Sequence, residues 1–207
     1  LEDWQRFVRE PRPAVERAEP VAARHGVRLA VENHKDWRIA EFLDLLGHID
    51  SEWVGVYLDF GNNFALLEHP HEVARALAPW VRSTHVKDMA LAPGERGFLL
   101  SEVPLGEGAL DLGAMMNLCA EANPDVWFNL EMITRDPLVI PFLEDDYWAS
   151  LPHVPASDLA RVLRVVRKGE AESLPRAGER NFQEQLAWEE DNVRRSFAHA
   201  REKLGFE

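Results

Sequence analysis

Four short apolar runs in this chain each end in a side chain able to hold a divalent cation: Val27–Glu32, Val54–Asp59, Val81–His85 and Val126–Glu131. Three carboxylates (Glu32, Asp59, Glu131) and one imidazole (His85) form a donor set for a hard or borderline ion. Mn²⁺ or Mg²⁺ suits it best, and Co²⁺ or Zn²⁺ is admissible. Carboxylates gathered beside an apolar core repel one another unless a cation or a proton compensates them. The alternative reading of the same residues is a set of separate loop ion pairs. Glu32 and Glu131 lie about a hundred positions apart, so only a fold that collects strand ends can unite them. A parallel barrel does this, because all its strand C-termini open onto one face.

The segments between the four runs read as helices. Val15, Ala18, Val21 and Ala22 follow helical spacing up to the stop His25-Gly26, and Ile39–Leu46 repeats apolar residues at three and four. Further helices are expected over 70–78 and 111–121, the latter broken by Asn123-Pro124. Four strand-and-helix units therefore fill residues 1–142, an α/β pattern that implies parallel strands with right-handed crossovers. Residues 88–109, with Pro93-Gly94 and Leu105–Gly108, read as a long loop. No further strand is expected after Glu131, where Pro137 and Pro141 interrupt the chain.

Residues 143–207 read as a helical extension. One helix starts at Ser157-Asp158 and carries Leu159, Val162, Leu163 and Val166. A second presents Leu186, Val193, Phe197, Ala200 and Leu204 as an apolar stripe, and 169–181 between them reads as a mobile linker. These helices are expected to cover a barrel or to form a homo-oligomer contact rather than carry chemistry. An eight-unit barrel takes ~250 residues, and four units are half of one. Either upstream sequence or another chain supplies the rest. Upstream sequence is favoured, because an open half-sheet exposes two hydrogen-bonding edges and the chain begins at Leu1, inside a helical pattern.

Composition narrows the function classes. With 207 residues, 46% hydrophobic, the chain can bury one core. Its net charge of -13 repels polyanions and disfavours a nucleic-acid partner. The single cysteine, Cys119, lies in an apolar helical stretch and is expected as a buried thiol. No apolar run reaches the roughly 18 residues that a membrane span requires, so a cytoplasmic protein acting on a small molecule is expected.

Five motifs in order carry a family resemblance: Val31–His34, Leu58–Asn62, Thr84–Asp88, Leu105–Gly108 with Leu110-Asp111, and Leu130-Glu131. Together they resemble the xylose isomerase-like TIM-barrel superfamily of sugar phosphate isomerases and epimerases, over roughly residues 10–135. Their order corresponds to the fifth to eighth strands, so the resemblance implies the last four β/α units of a (β/α)8 barrel. It implies a metal-dependent isomerase or epimerase of a keto-sugar or sugar phosphate. Glu32 and Glu131 would then be both metal ligands and the acid/base pair, moving a proton beside a carbonyl through an enediolate. A decarboxylase or dehydratase of a keto-sugar acid is the alternative. An apurinic endonuclease fits less well, since Asn62 stands where that class expects a histidine, and a non-catalytic barrel is disfavoured by the full ligand set.

Smaller expectations attach to neighbouring residues. His34, two past Glu32, points to the same side if the strand continues and would bind a substrate hydroxyl; a surface histidine is the alternative. Asn62 is a hydroxyl-binding amide and a poor metal ligand. Lys87 orients the carboxylates or a substrate oxygen, and Arg135 could meet a substrate carboxylate or phosphate. Glu107 marks a tight loop. Trp37, Phe60 and Phe64 either wall the pocket or simply pack.

Overall fold

The structure, a computed structural model, describes residues 11–169 and 174–206. Residues 1–10 of the expected first helical segment and residues 170–173 of the expected linker lie outside them. The elements run α1 (Pro11–His25), β1 (Leu29–Glu32), α2 (Ile39–Ile49), β2 (Val54–Asp59), α3 (Pro70–Leu77), β3 (Val81–Val86), β4 (Asp88–Gly94), β5 (Gly97–Val103), α4 (Leu112–Ala122), β6 (Trp127–Leu130), β7 (Leu138–Ile140), α5 (Asp145–Trp148), α6 (Ala156–Lys168) and α7 (Phe182–Lys203). Strands β1, β2, β3 and β6 form one parallel sheet in that order. Each neighbouring pair is joined through a helix, as the alternating pattern requires.

Side-chain alternation divides this sheet into two faces, with a register shift at Val56/Tyr57 that skips Arg82 and so places Val81 on one face and Ser83 and His85 on the other. Val54, Val56, Leu58 and Val81 point to the helices, where they pack with Phe42, Leu45, Val73, Leu77, Met115 and Cys119 in the main core. Burying each of these large side chains contributes roughly 1.5–3 kcal/mol before entropy is counted. On the opposite face stand Tyr57, Asp59, Ser83, His85 and Asn129, in register across β2, β3 and β6. The helix side thus anchors the sheet and leaves the polar side free to serve as a site.

Two expectations need correction. Residues 88–103 are not loop: β4 and β5 form an antiparallel hairpin turning at Glu95-Arg96, with Gly94 paired to Gly97. A further strand does follow Glu131, since β7 joins the hairpin through Leu138–Ile140 and completes a three-stranded antiparallel sheet. Pro93 and Pro137 sit at the margins of these strands, where a missing N–H is tolerated. Helix α6 covers this sheet with Val162 and Val166, forming a second core with Met89, Leu91, Phe98, Leu100 and Ile140.

The apolar stripe expected on α7 is also corrected. Leu186 and Phe197 are each 47% exposed, whereas Asn192 and Ser196 are the buried residues. The docked face steps by four through Asn192, Ser196, Ala200 and Leu204, and it makes polar contacts. Asn192 Nδ2 donates to Thr134 Oγ1 at 3.1 Å, and Leu105 N–H donates to Ser196 Oγ at 3.2 Å. Helix α7 therefore pins the segment that follows Glu131.

Candidate metal centre

Register brings the strand ends together. Asp59 pairs with His85 across β2 and β3, and His85 pairs with Asn129 on β6. Glu131 lies one step beyond β6, and its N–H continues the ladder to Val86 O at 3.0 Å. Glu32 closes β1 on the opposite edge of the sheet. One donor atom from each of Glu32, Asp59, His85 and Glu131 lies within 4.8 Å of all the others. His85 Nδ1 is the hub, at 3.4 Å from Glu32 Oε1, 3.8 Å from Asp59 Oδ2 and 3.5 Å from Glu131 Oε2.

This arrangement fits a metal ion. Ligand atoms about 2.1 Å from a Mg²⁺-sized ion lie at most about 4.2 Å apart; the four atoms here lie within 4.8 Å of one another, so the side chains would close slightly around an ion of that size. Asp59 Oδ1 is occupied by the N–H groups of Gly61 and Asn62, which turns Oδ2 toward the cluster. Asp59 Oδ2 and Glu131 Oε2 are buried and have no aligned hydrogen-bond donor. Lys87 Nζ is near both, at 2.8 and 2.5 Å, but as an ion pair without that alignment. Each carboxylate oxygen has lone pairs for both a lysine and a cation. Solvent reaches the cluster: the side chains of Glu32, His85 and Glu131 are 35, 26 and 23% exposed, whereas that of Asp59 is fully covered.

Burial dominates the electrostatics. It raises the Asp59 pKa to about 6, against the opposing effects of the Lys87 charge and the Gly61 and Asn62 N–H groups. Burial also pushes Glu131 upward, but the close Lys87 ammonium, with Asp59 and His85 adding, holds it below the usual carboxylate range. Burial alone would lower Lys87, yet Asp59 and Glu102 hold its pKa above the ordinary lysine value. Lys87 is therefore a fixed ammonium among carboxylates.

Three residues that sequence reading left without a role support the cluster. Asn33 clamps the Asp59 backbone from both sides, accepting its N–H at 2.7 Å and donating to its carbonyl at 2.9 Å. Glu102 continues the buried face of Phe98 and Leu100 on β5. It lies 3.7 Å from Lys87 Nζ, accepts Ile133 N–H at 2.8 Å and binds Arg135 at 3.1 Å. Lys35 donates to Asn62 Oδ1 at 2.5 Å, and Asn62 Nδ2 reaches Glu32 Oε1 at 3.3 Å. The signal for Asn33 was its place inside the motif; Glu102 was hidden by the reading of its strand as loop.

Of the expected substrate contacts, Asn62, Lys87 and Arg135 join this network. His34 does not share it: the strand ends at Glu32, so the alternation assumed for it stops, and the residue stands exposed. Trp37, Phe60 and Phe64 are 5, 1 and 1% exposed and pack in the cores. Glu107 pairs with Arg195 on α7. The loop around it is organised by Asp88, which accepts the N–H groups of Gly106, Gly108, Leu110 and Met89. Gly106 adopts φ +85°, a conformation costly for other residues.

Comparison with known proteins bears on the family and the fold. The chain is 37% identical over 98 residues to a 3-oxo-isoapionate decarboxylase of Pectobacterium atrosepticum, a match covering 46% of this chain and 36% of that protein. Among solved structures, a xylose isomerase domain protein of Planctomyces limnophilus is similar with TM-score 0.52 and 21% identity, over 77% of this chain and 52% of that one. A xylose isomerase-like TIM-barrel protein of Mycobacterium smegmatis, in complex with magnesium, is similar with TM-score 0.51 and 18% identity, over 77% and 50%. The chain thus spans about half the length of the solved structures it matches. No described helix is long and apolar enough to cross a membrane. A family model matches residues 2–167, and with the parallel sheet and its strand-end donors already in place, the chain belongs to the xylose isomerase-like TIM barrel family.

Proposed function

We propose that this chain carries the metal-binding, proton-transferring part of an enzyme acting beside the carbonyl of a small keto-sugar. One observation carries the reading: four ligand atoms lie within 4.8 Å of one another, and the two glutamates among them come from opposite edges of the sheet. Glu32, Asp59, His85 and Glu131 would hold a divalent cation, which would supply Lewis acidity to the carbonyl beside the carbon that loses its proton. Glu131, held ionised by Lys87, accepts that proton as general base. Glu32, steadied by Asn62, stands on the other flank, enters the step as the protonated acid and returns its proton, while Glu131 keeps the one it has taken. Return to the same carbon from the opposite face is epimerisation; return to the adjacent carbon is isomerisation. The four groups lie within residues 1–142, and helix α7 of the extension fixes the segment after Glu131 through Thr134.

Glu131→Gln tests this. The variant should keep the wild-type fold and lose incorporation of solvent deuterium into the substrate; undiminished exchange removes Glu131 from the proposed role. A second reading, loss of CO₂ from a keto-sugar acid, is favoured by the 37% identity to the decarboxylase. There the carbon–carbon bond supplies the electron pair that the carbonyl accepts, and a glutamic acid protonates the carbon left behind. Product analysis separates the two, since released CO₂ excludes a simple stereoisomer.

A further inference from the structure

Behind Asp59 a line of buried polar side chains runs away from the metal centre. Asn33, Asn63 and Glu68 are 0, 2 and 7% exposed, and each is bonded to the next. Asn33 Nδ2 donates to Asn63 Oδ1 at 2.8 Å, and Asn63 Nδ2 donates to Glu68 Oε2 at 2.6 Å. At the near end Asn33 holds the Asp59 backbone on both sides. At the far end Glu68 is fixed in turn. Its two oxygens share the Ile39 N–H at the start of α2, each at 3.1 Å, and Oε1 lies 3.4 Å from Arg38 Nε. Arg38 donates to Asp158 on α6 at 2.7 Å, so the C-terminal extension anchors that end of the line.

Chemistry dictates the direction of these bonds. A side-chain amide has a donor end and an acceptor end and can be turned end for end, whereas a backbone N–H only donates. Glu68 Oε2 accepts the Ile39 N–H, so it presents lone pairs and takes the nitrogen of Asn63. Asn63 Oδ1 is then left to receive Asn33 Nδ2, and Asn33 Oδ1 to accept the Asp59 N–H at 2.7 Å. Without the terminal acceptor, Asn63 Nδ2 becomes an unpaired buried donor, which costs more than the bond is worth, and the amides turn or shift to relieve it. Asp59 feels that shift twice. Its backbone is held by Asn33, and its Oδ1 is held by the N–H groups of Gly61 and Asn62, which lead directly into Asn63. Movement there displaces Oδ2, the oxygen turned toward the cluster.

We propose that Glu68 is a positioning residue for the metal centre: acting through Asn63 and Asn33, it fixes the amide orientation that holds Asp59 where it can ligate a cation. This rests on the metal-dependent reading of the site and extends it to a residue outside the ligand cluster. The test is calorimetric titration of the full chain and its variants with Mn²⁺, read beside urea unfolding. Glu68→Met keeps the length of the side chain and removes the acceptor, and it should weaken Mn²⁺ binding by about tenfold or more, the lower end of what losing an outer partner of a metal ligand costs. Glu68→Gln still offers an oxygen to Ile39 and Asn63, and it should stay within about threefold of wild type. Asn63→Ala cuts the line in the middle while leaving Glu68 with Ile39 and Arg38, so it should lose as much as Glu68→Met, and it decides the question if Glu68→Met does not fold. Mn²⁺ affinity within about twofold of wild type in the folded variant, whatever its loss in urea, makes Glu68 a part of the fold only and overturns the proposal. A Glu68→Gln variant as weak as Glu68→Met overturns it as well, since the acceptor is then not what matters. Failure of the wild type to bind Mn²⁺ sinks the metal reading instead, and the hold on Asp59 is then judged by hydrogen exchange in EDTA. There the Asp59 N–H should exchange about tenfold or more faster in Glu68→Met or Asn63→Ala than in wild type, beyond any change at the interior N–H groups of β2, and an unchanged rate overturns the proposal.

Discussion

Asp59→Asn offers the sharpest test of the metal centre, because the structure gives opposite signs for the same substitution with and without the ion. In the metal-free protein, burial raises the Asp59 pKa from 3.8 to about 6. At 1.36 kcal/mol per tenfold change in proton affinity, the ionised form costs the fold about 3 kcal/mol. The folded state binds the proton more tightly than the unfolded chain. Stability from this group is therefore fully present below 3.8 and is lost as pH rises through about 6. Asparagine imitates the protonated acid: one oxygen still accepts the Gly61 and Asn62 N–H groups, and the amide nitrogen can donate toward Glu131 Oε2. Lys87 keeps Glu131 and Glu102 as partners. In EDTA, urea unfolding should show the variant more stable than wild type by about 1–3 kcal/mol at pH 8, a gain that shrinks toward pH 4. With Mn²⁺ at 100 times the wild-type dissociation constant, the wild type gains about 2.7 kcal/mol. A variant binding about a hundredfold more weakly gains only about 0.4 kcal/mol under the same conditions. If Asp59→Asn is destabilising in EDTA at pH 8, or if Mn²⁺ stabilises it as much as wild type, the assigned environment of Asp59 is wrong.

Two further outcomes follow from the buried groups. Asp88→Ala strips the acceptor from four backbone N–H groups and, allowing for partial access of water to the Gly106 loop, should cost about 3–5 kcal/mol. A loss under about 1 kcal/mol in urea unfolding contradicts the hub role of Asp88. Cys119 is fully buried, and burial pushes its thiol up to about 12, so a disulfide reagent at pH 8 should label it only after unfolding. Fast stoichiometric labelling of the native protein would place that thiol outside the core.

Local patterns in the chain were enough to reveal the parallel sheet and the meeting of its strand-end groups. Val54, Val56 and Leu58 alternate with Tyr57 and Asp59, and parallel strands present their C-terminal ends together, so Glu32, Asp59, His85 and Glu131 were recognisable as one group without coordinates. Asp111 was likewise legible as the start of α4, where its carboxylate accepts Ala114 N–H. Contacts made across long sequence separations were not. The β4–β5 hairpin was masked by Pro93-Gly94, a pair that usually marks a loop, and with it went Glu102, whose partners Lys87, Ile133 and Arg135 are distant in sequence. His34 was given a substrate role because alternation was extended past the end of β1. The buried face of α7 was missed because Asn192 and Ser196 gain their burial from Thr134 and Leu105, groups that no helical period encodes. Periodicity records how a residue faces its own element; which charge or N–H group meets it from another element is decided only when the chain has packed.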